Sequence, residues 1–123
     1  MKRVGSALLL LLLLPMAPVL AAARGNAHSA ATAAAAQRGR TFAETHCAQC
    51  HAITANGTSP NPEAPPWDDV ANREGLTAQT FATFLADAHN YPAAMDFRVE
   101  RRVIGDIAAY MLTLRRQNYK PTR

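Results

Sequence analysis

Cys47-Ala48-Gln49-Cys50-His51 holds both cysteines of the chain and a histidine directly after the second. C-x-x-C-H is the attachment signature of a c-type haem. Each thiol can add across one vinyl group of the porphyrin, giving two thioether bonds. The adjacent histidine then lies under the iron as the proximal ligand. Three other readings compete. A disulfide between Cys47 and Cys50 would close a tiny loop and staple little. A thioredoxin-like redox pair expects a strand–helix context that the flanking sequence does not offer. Structural zinc needs a fourth ligand. With His51 in place and an exported chain, haem is the favoured reading.

Export is read from the N-terminus. Met1-Lys2-Arg3 is basic, Ala7 to Leu14 is leucine-rich, Pro15 and Pro18 follow, and Ala21-Ala22-Ala23 supplies small residues. This is the order of a secretory signal peptide over residues 1–23, cleaved after Ala22 or Ala23. An uncleaved anchor is the alternative, but the apolar run is near the lower limit for spanning and two prolines interrupt it. The expected location is the periplasm. Nothing else in the mature chain is long or apolar enough to cross a membrane.

Cleavage after Ala23 removes Lys2 and Arg3, so eleven basic residues face nine acidic ones and the formal charge falls from +4 to +2. Two haem propionates would bring it close to zero. No basic run with interleaved aromatics points to nucleic acid. A mature domain of about 100 residues is marginal when only protein atoms fill its core. A buried porphyrin would relieve that problem.

Residues 24–32 read as a flexible lead-in and residues 33–123 as one domain. Ala33 to Cys47 reads as a helix, with Phe42 and Ala43 on its apolar face. Gly39 inside it costs about 1 kcal/mol against alanine, and such a glycine often marks close approach of another backbone or ring. Asn56-Gly57 and the prolines 60, 62, 65 and 66 make Ala52 to Pro66 a loop. Trp67 to Arg73 reads as a short helix with Trp67 and Val70 facing in. Thr77 reads as the N-cap of a helix over Ala78 to Ala88, with Phe81, Phe84, Leu85 and Ala88 at helical period. His89 to Phe97 is a loop. The last helix is expected from about Val99 to Arg116, with Val103, Ile107, Tyr110 and Leu114 in one stripe. Arg115 and Arg116 suit the negative end of its dipole. The expected class is all-α.

A haem iron with one histidine has a sixth site to fill, and what fills it separates electron transfer from ligand binding. Met111 lies among apolar neighbours of the last helix and reads as core. Met95 lies in the loop between Pro92 and Phe97, beside Ala93 and Ala94, where its soft thioether could approach the iron and raise the potential. His89 is the rival. His46 reads as an exposed helix-end residue, and His28 as solvated.

These features together resemble a class I monohaem cytochrome c of the small bacterial periplasmic type, over roughly Ala33 to Leu114. In that family the haem motif follows an N-terminal helix, and the ligand methionine lies well downstream, before the C-terminal helix. Cys47, Cys50, His51 and Met95 match in order and type. The resemblance implies one covalent haem c with His51 and Met95 as iron ligands. It also implies that the first and last helices cross, and Gly39 and Phe42 against Tyr110 look like the contact positions. A proline carbonyl, from Pro65 or Pro66, would accept the proximal histidine's Nδ1 proton. The chain departs from the family pattern in three places. Asp96 stands where many relatives have proline, the last helix lacks a clear cap, and Gly105 interrupts it.

The function implied is one-electron transfer rather than enzymatic catalysis. The expected partners are redox proteins, a dehydrogenase or an oxidase, met in transient complexes by a monomer. A haem subunit of a larger oxidoreductase would use the same domain. A gas-binding or peroxidatic haem protein would need an open sixth site, and no distal acid–base pair is evident.

Overall fold

The computed structural model describes residues 17–86 and 99–121, with side chains from residue 25 onward. Four helices form: α1 (Ala17–His46), α2 (Trp67–Ala71), α3 (Ala78–Ala86) and α4 (Arg101–Thr113). There is no strand among the described residues. The all-α expectation holds.

The fold is organised around α1 and α4, which pack on each other more extensively than any other pair. The reason lies in a seam of small residues. Ala36, Gly39 and Ala43 are buried on one side of α1, spaced at three and four as one helix face requires. Opposite them α4 buries Ile104, Ile107, Ala108, Tyr110 and Met111. A Cβ at Gly39 would lie 2.0 Å from the Asp106 carbonyl oxygen and 2.8 Å from the Ile107 nitrogen. The glycine therefore permits a backbone-to-backbone approach that no other residue allows. Arg38 closes the same contact from outside, with Nε and Nη2 donating to Asp106 Oδ2 and Oδ1 at 2.8 and 2.7 Å.

Trp67 and Ala71 of α2, Phe81 of α3 and Leu114 complete the apolar cluster, with Ile53 from the loop after the haem motif. Met111 is 2% exposed, as its core reading requires. At the start of α3, Thr77 Oγ1 accepts from the Thr80 N–H at 3.0 Å and the Thr77 N–H donates to Thr80 Oγ1 at 2.8 Å. This reciprocal cap satisfies two donors that the helix cannot. Glu100 precedes α4 without a side-chain cap, as its sequence suggests.

Three elements differ from the sequence expectation. Residues 24–32, expected as a flexible lead-in, are helical, because the alanine-rich composition sustains α1 by propensity alone. Residues 25–34 are all exposed. The short helix at Trp67 stops at Ala71, and α4 stops at Thr113. Arg115 and Arg116 thus lie past the helix they were expected to finish, and both reach across to other segments. For the third predicted helix, residues 87 and 88 lie outside the described residues, as do Pro92, Asp96 and the whole expected ligand loop.

Gly39 and Gly105 should answer the same substitution with opposite signs. Gly39→Ala should destabilise the protein by roughly 1–3 kcal/mol through overpacking. Gly105→Ala should stabilise it by about 0.5–1 kcal/mol, since nothing beyond its own helix lies within 4 Å of the new Cβ. Denaturant unfolding of the two variants measures both, and shifts in the same direction would contradict the seam. A second expectation concerns acid. The hydrogen bond from Arg38 holds the Asp106 carboxyl below the usual carboxylate range, against a smaller opposing effect of burial and helped by the charges of Arg38 and Arg102. A depressed folded pKa contributes stability above the unfolded value, about 4, and loses it as pH falls through the lower folded value. Asp106→Asn should therefore cost stability at neutral pH, with the difference from wild type shrinking in acid below about pH 4.

Candidate functional site

The haem-motif residues sit on a tight continuation of α1. The Cys47 N–H donates to the Ala43 carbonyl at 2.9 Å, and the Cys50 and His51 N–H groups both donate to the Cys47 carbonyl, at 3.1 and 2.9 Å. One turn of backbone therefore gathers Cys47, Cys50 and His51. Both cysteines are free thiols. Cys50 is exposed and Cys47 half-buried, and burial, with a smaller push from Cys50, raises the Cys47 thiol to about 11. Among the described residues no three His, Cys, Asp or Glu side chains gather as a metal-ion site.

His51 Nδ1 lies 2.9 Å from the Pro65 carbonyl oxygen. A carbonyl can only accept, so the bond requires the proton on Nδ1. In the neutral ring this leaves the Nε2 lone pair free, which is the arrangement of a metal-binding histidine. Of the two prolines expected for this role, Pro65 supplies the carbonyl. Pro66 instead precedes α2, and its own carbonyl accepts from the Val70 N–H at 3.2 Å.

The two strands of loop are pinned beside this bond. The Trp67 N–H donates to the Ala52 carbonyl at 2.8 Å, and the Ala52 N–H donates to the buried Ser59 Oγ at 3.0 Å. Trp67 is buried, with its ring 6.4 Å from that of His51 and 6.1 Å from that of Tyr110. Tyr110 Oη donates to the Ile53 carbonyl at 3.0 Å, so α4 holds the segment two residues beyond His51. Phe42 packs its ring 4.3 Å from the His46 ring. His46 and His28 are both exposed, as expected. Met95 and His89 lie outside the described residues.

A second cluster was not foreseen. Asp68, in the first turn of α2, is 1% exposed. Its Oδ2 accepts from the Asn56 N–H at 2.7 Å and from Arg116 Nη2 at 2.9 Å, and its Oδ1 accepts from the Asp69 N–H at 3.0 Å. Arg116 Nη1 also donates to Asn56 Oδ1 at 2.7 Å. Asn72 ties α2 to the end of α4, its Nδ2 donating to the Leu114 carbonyl at 3.2 Å and its Oδ1 accepting from the Arg116 N–H at 2.8 Å. Arg115 Nε donates to the Ala71 carbonyl at 3.0 Å. The only signal in the sequence was a pair of arginines past an apolar stripe, and they were read as serving their own helix.

The donor set fits a covalent haem: two free thiols on one turn, and an imidazole whose Nδ1 is occupied and whose Nε2 is free. The comparisons agree. Residues 36–115 match the family model of cytochrome c. The chain is 34% identical over 96 residues to cytochrome c-552 of Bradyrhizobium diazoefficiens, an alignment covering 78% of this chain and 90% of that protein. No solved structure is significantly similar. On the matched family and this relative, the chain belongs to the cytochrome c family, as an electron-transfer protein whose cofactor is covalently bound, iron-containing haem c.

Proposed function

We propose that the protein is a periplasmic one-electron carrier whose haem is joined to Cys47 and Cys50 and whose iron is ligated by His51 and Met95. The observation that carries this reading is the His51 Nδ1 to Pro65 carbonyl bond at 2.9 Å. It fixes the tautomer and presents Nε2 as the proximal donor. When bound, the haem supplies a metal centre that cycles between ferric and ferrous states.

The chain's own contribution is to hold the ligands still. The Pro65 carbonyl orients the imidazole and makes it a stronger donor. Trp67 lies beside it, and Tyr110 packs on Trp67 in turn. The turn from Cys47 to His51 sets the spacing of the two thiols and the ring. Met95 would complete the site from the loop before α4, leaving no open position for a substrate. His89 is the competing sixth ligand in the same loop.

Location rests on the leader. Residues 1–23 carry the basic start, apolar run and small-residue end of a signal peptide, and their removal would leave the haem domain over residues 33–123 in the compartment where c-type haem is attached. Partners would be redox proteins that dock at an exposed haem edge, in small and short-lived contacts.

Two variants test the ligand assignment. Met95→Ala should keep the covalent haem, lower the midpoint potential and open the iron to carbon monoxide. An unchanged spectrum and potential would remove Met95 as ligand, and the same result with His89→Ala altering the spectrum would transfer the role to His89. Cys50→Ala should lose one thioether and most of the mature holoprotein, read by mass; a wild-type mature mass equal to the bare polypeptide would refute attachment.

A further inference from the structure

Asp68 is the one buried charged side chain among the described residues, and its ion-pair partner Arg116 reaches it from the surface with 37% of its side chain exposed. Burying the Asp68 carboxylate costs desolvation that the attraction to a partly solvated guanidinium offsets only in part, so the pair is a poor source of stability. What such a pair does well is hold its surroundings in one arrangement, because each charged group must keep its partners. What it holds here is specific. Asp68 Oδ2 takes the Asn56 N–H and Arg116 Nη2 together, and Arg116 Nη1 takes Asn56 Oδ1. Asn56 stands at the turn of the loop that follows His51, with φ of 57°, in the left-handed region.

Two connections lead from this cluster to the imidazole. Along the chain, Asn56 ends the segment whose Ala52 carbonyl accepts from the Trp67 N–H. On the other side, Asp68 directly follows Trp67 and lies three residues after Pro65, whose carbonyl accepts from His51 Nδ1. The pair thus clamps both strands of backbone that bear on the histidine, at the end remote from it. Arg116 is itself held in place. Its guanidinium lies 4.8 Å above the centroid of the Tyr119 ring, its backbone N–H donates to Asn72 Oδ1, and Tyr119 Oη is hydrogen-bonded to Asp69.

We propose that Asp68 and Arg116 are positioning residues for the proximal ligand: the pair, anchored on the buried Asp68 carboxylate, sets the register of the Ala52–Asn56 and Pro65–Asp68 segments, and through it the hydrogen bond on His51 Nδ1. The inference rests on the reading of His51 as the proximal ligand. A firm Nδ1–H bond to a carbonyl makes the imidazole a stronger donor, which favours ferric iron. Loosening the pair should weaken that bond and raise the midpoint potential.

The test uses the full holoprotein and four variants: Asp68→Asn, Arg116→Met, Arg116→Lys and, as a stability control, Asp106→Asn. Two quantities are read besides unfolding, the midpoint potential and the exchange rate of the His51 Nδ1 proton by NMR. Asp68→Asn and Arg116→Met should each raise the potential and speed exchange by roughly tenfold, the equivalent of one lost hydrogen bond. Arg116→Lys, which keeps the charge but cannot reach Asp68 and Asn56 together, should fall between them and wild type. Asp106→Asn breaks an ion pair between α1 and α4 and should lower stability while leaving both readouts unchanged. If Asp68→Asn does not fold, the two Arg116 variants carry the test. Loss of stability with wild-type potential and exchange in the Arg116 variants would overturn the proposal and leave the pair merely structural. Failure of the underlying reading looks different: the unsubstituted protein would show no iron-bound His51 at all.

Discussion

A histidine offers a metal one nitrogen dependably only when something holds the other. In this chain the Pro65 carbonyl holds His51 Nδ1 at 2.9 Å, and much of the remaining structure serves to keep that carbonyl where it is. Pro65 and His51 are fourteen residues apart, on either side of a loop with no regular structure of its own. Such a loop needs external bonds to have one shape. It receives them from the Trp67 N–H on Ala52 and from Tyr110 on Ile53, and Ser59 within the loop adds a bond to the Ala52 N–H. Tyr110 belongs to α4, so the position of the last helix bears directly on the segment that follows His51.

That position is decided at Gly39. Because the α1 backbone can touch the α4 backbone there, α1 runs directly from the helix contact into the haem motif eight residues later. Helix pair and haem motif are thus one mechanical unit. The Arg38–Asp106 pair sits on the rim of the contact, where screening by solvent makes it a minor contributor to stability. The apolar seam is the larger contribution, since each buried Ile or Met side chain is worth about 1.5–3 kcal/mol.

The parts of this arrangement that were legible in the sequence are those with local signatures. C-x-x-C-H names a cofactor by spacing alone. Gly39 stood out as a glycine in an otherwise helical run, Thr77 as a cap, and Met111 as a methionine on an apolar helix. Pro65 and Pro66 were both visible, but choosing between them requires knowing which carbonyl faces the ring, a matter of tertiary structure. Asp68 was invisible in its true role. A charged residue in the first turn of a short helix ordinarily stays wet, and its partner Arg116 lies 48 positions away, with no pattern joining them. Separations of 42 and 44 residues hid the contacts of Asn72 and Arg115 in the same way. In residues 24–32 alanine propensity extends α1 over residues that no packing requires to be helical.

Membership of the cytochrome c family makes electron transfer the function, and the geometry around His51 explains how the protein holds the proposed proximal ligand. The central proposal is that two protein ligands, His51 and Met95, close the iron. The most direct measurement is a redox titration of the purified mature protein followed by absorption, with carbon monoxide added to the reduced form. The account predicts one reversible one-electron transition, a six-coordinate low-spin iron in both states, and no uptake of carbon monoxide. A five-coordinate ferrous iron that binds carbon monoxide readily would contradict it.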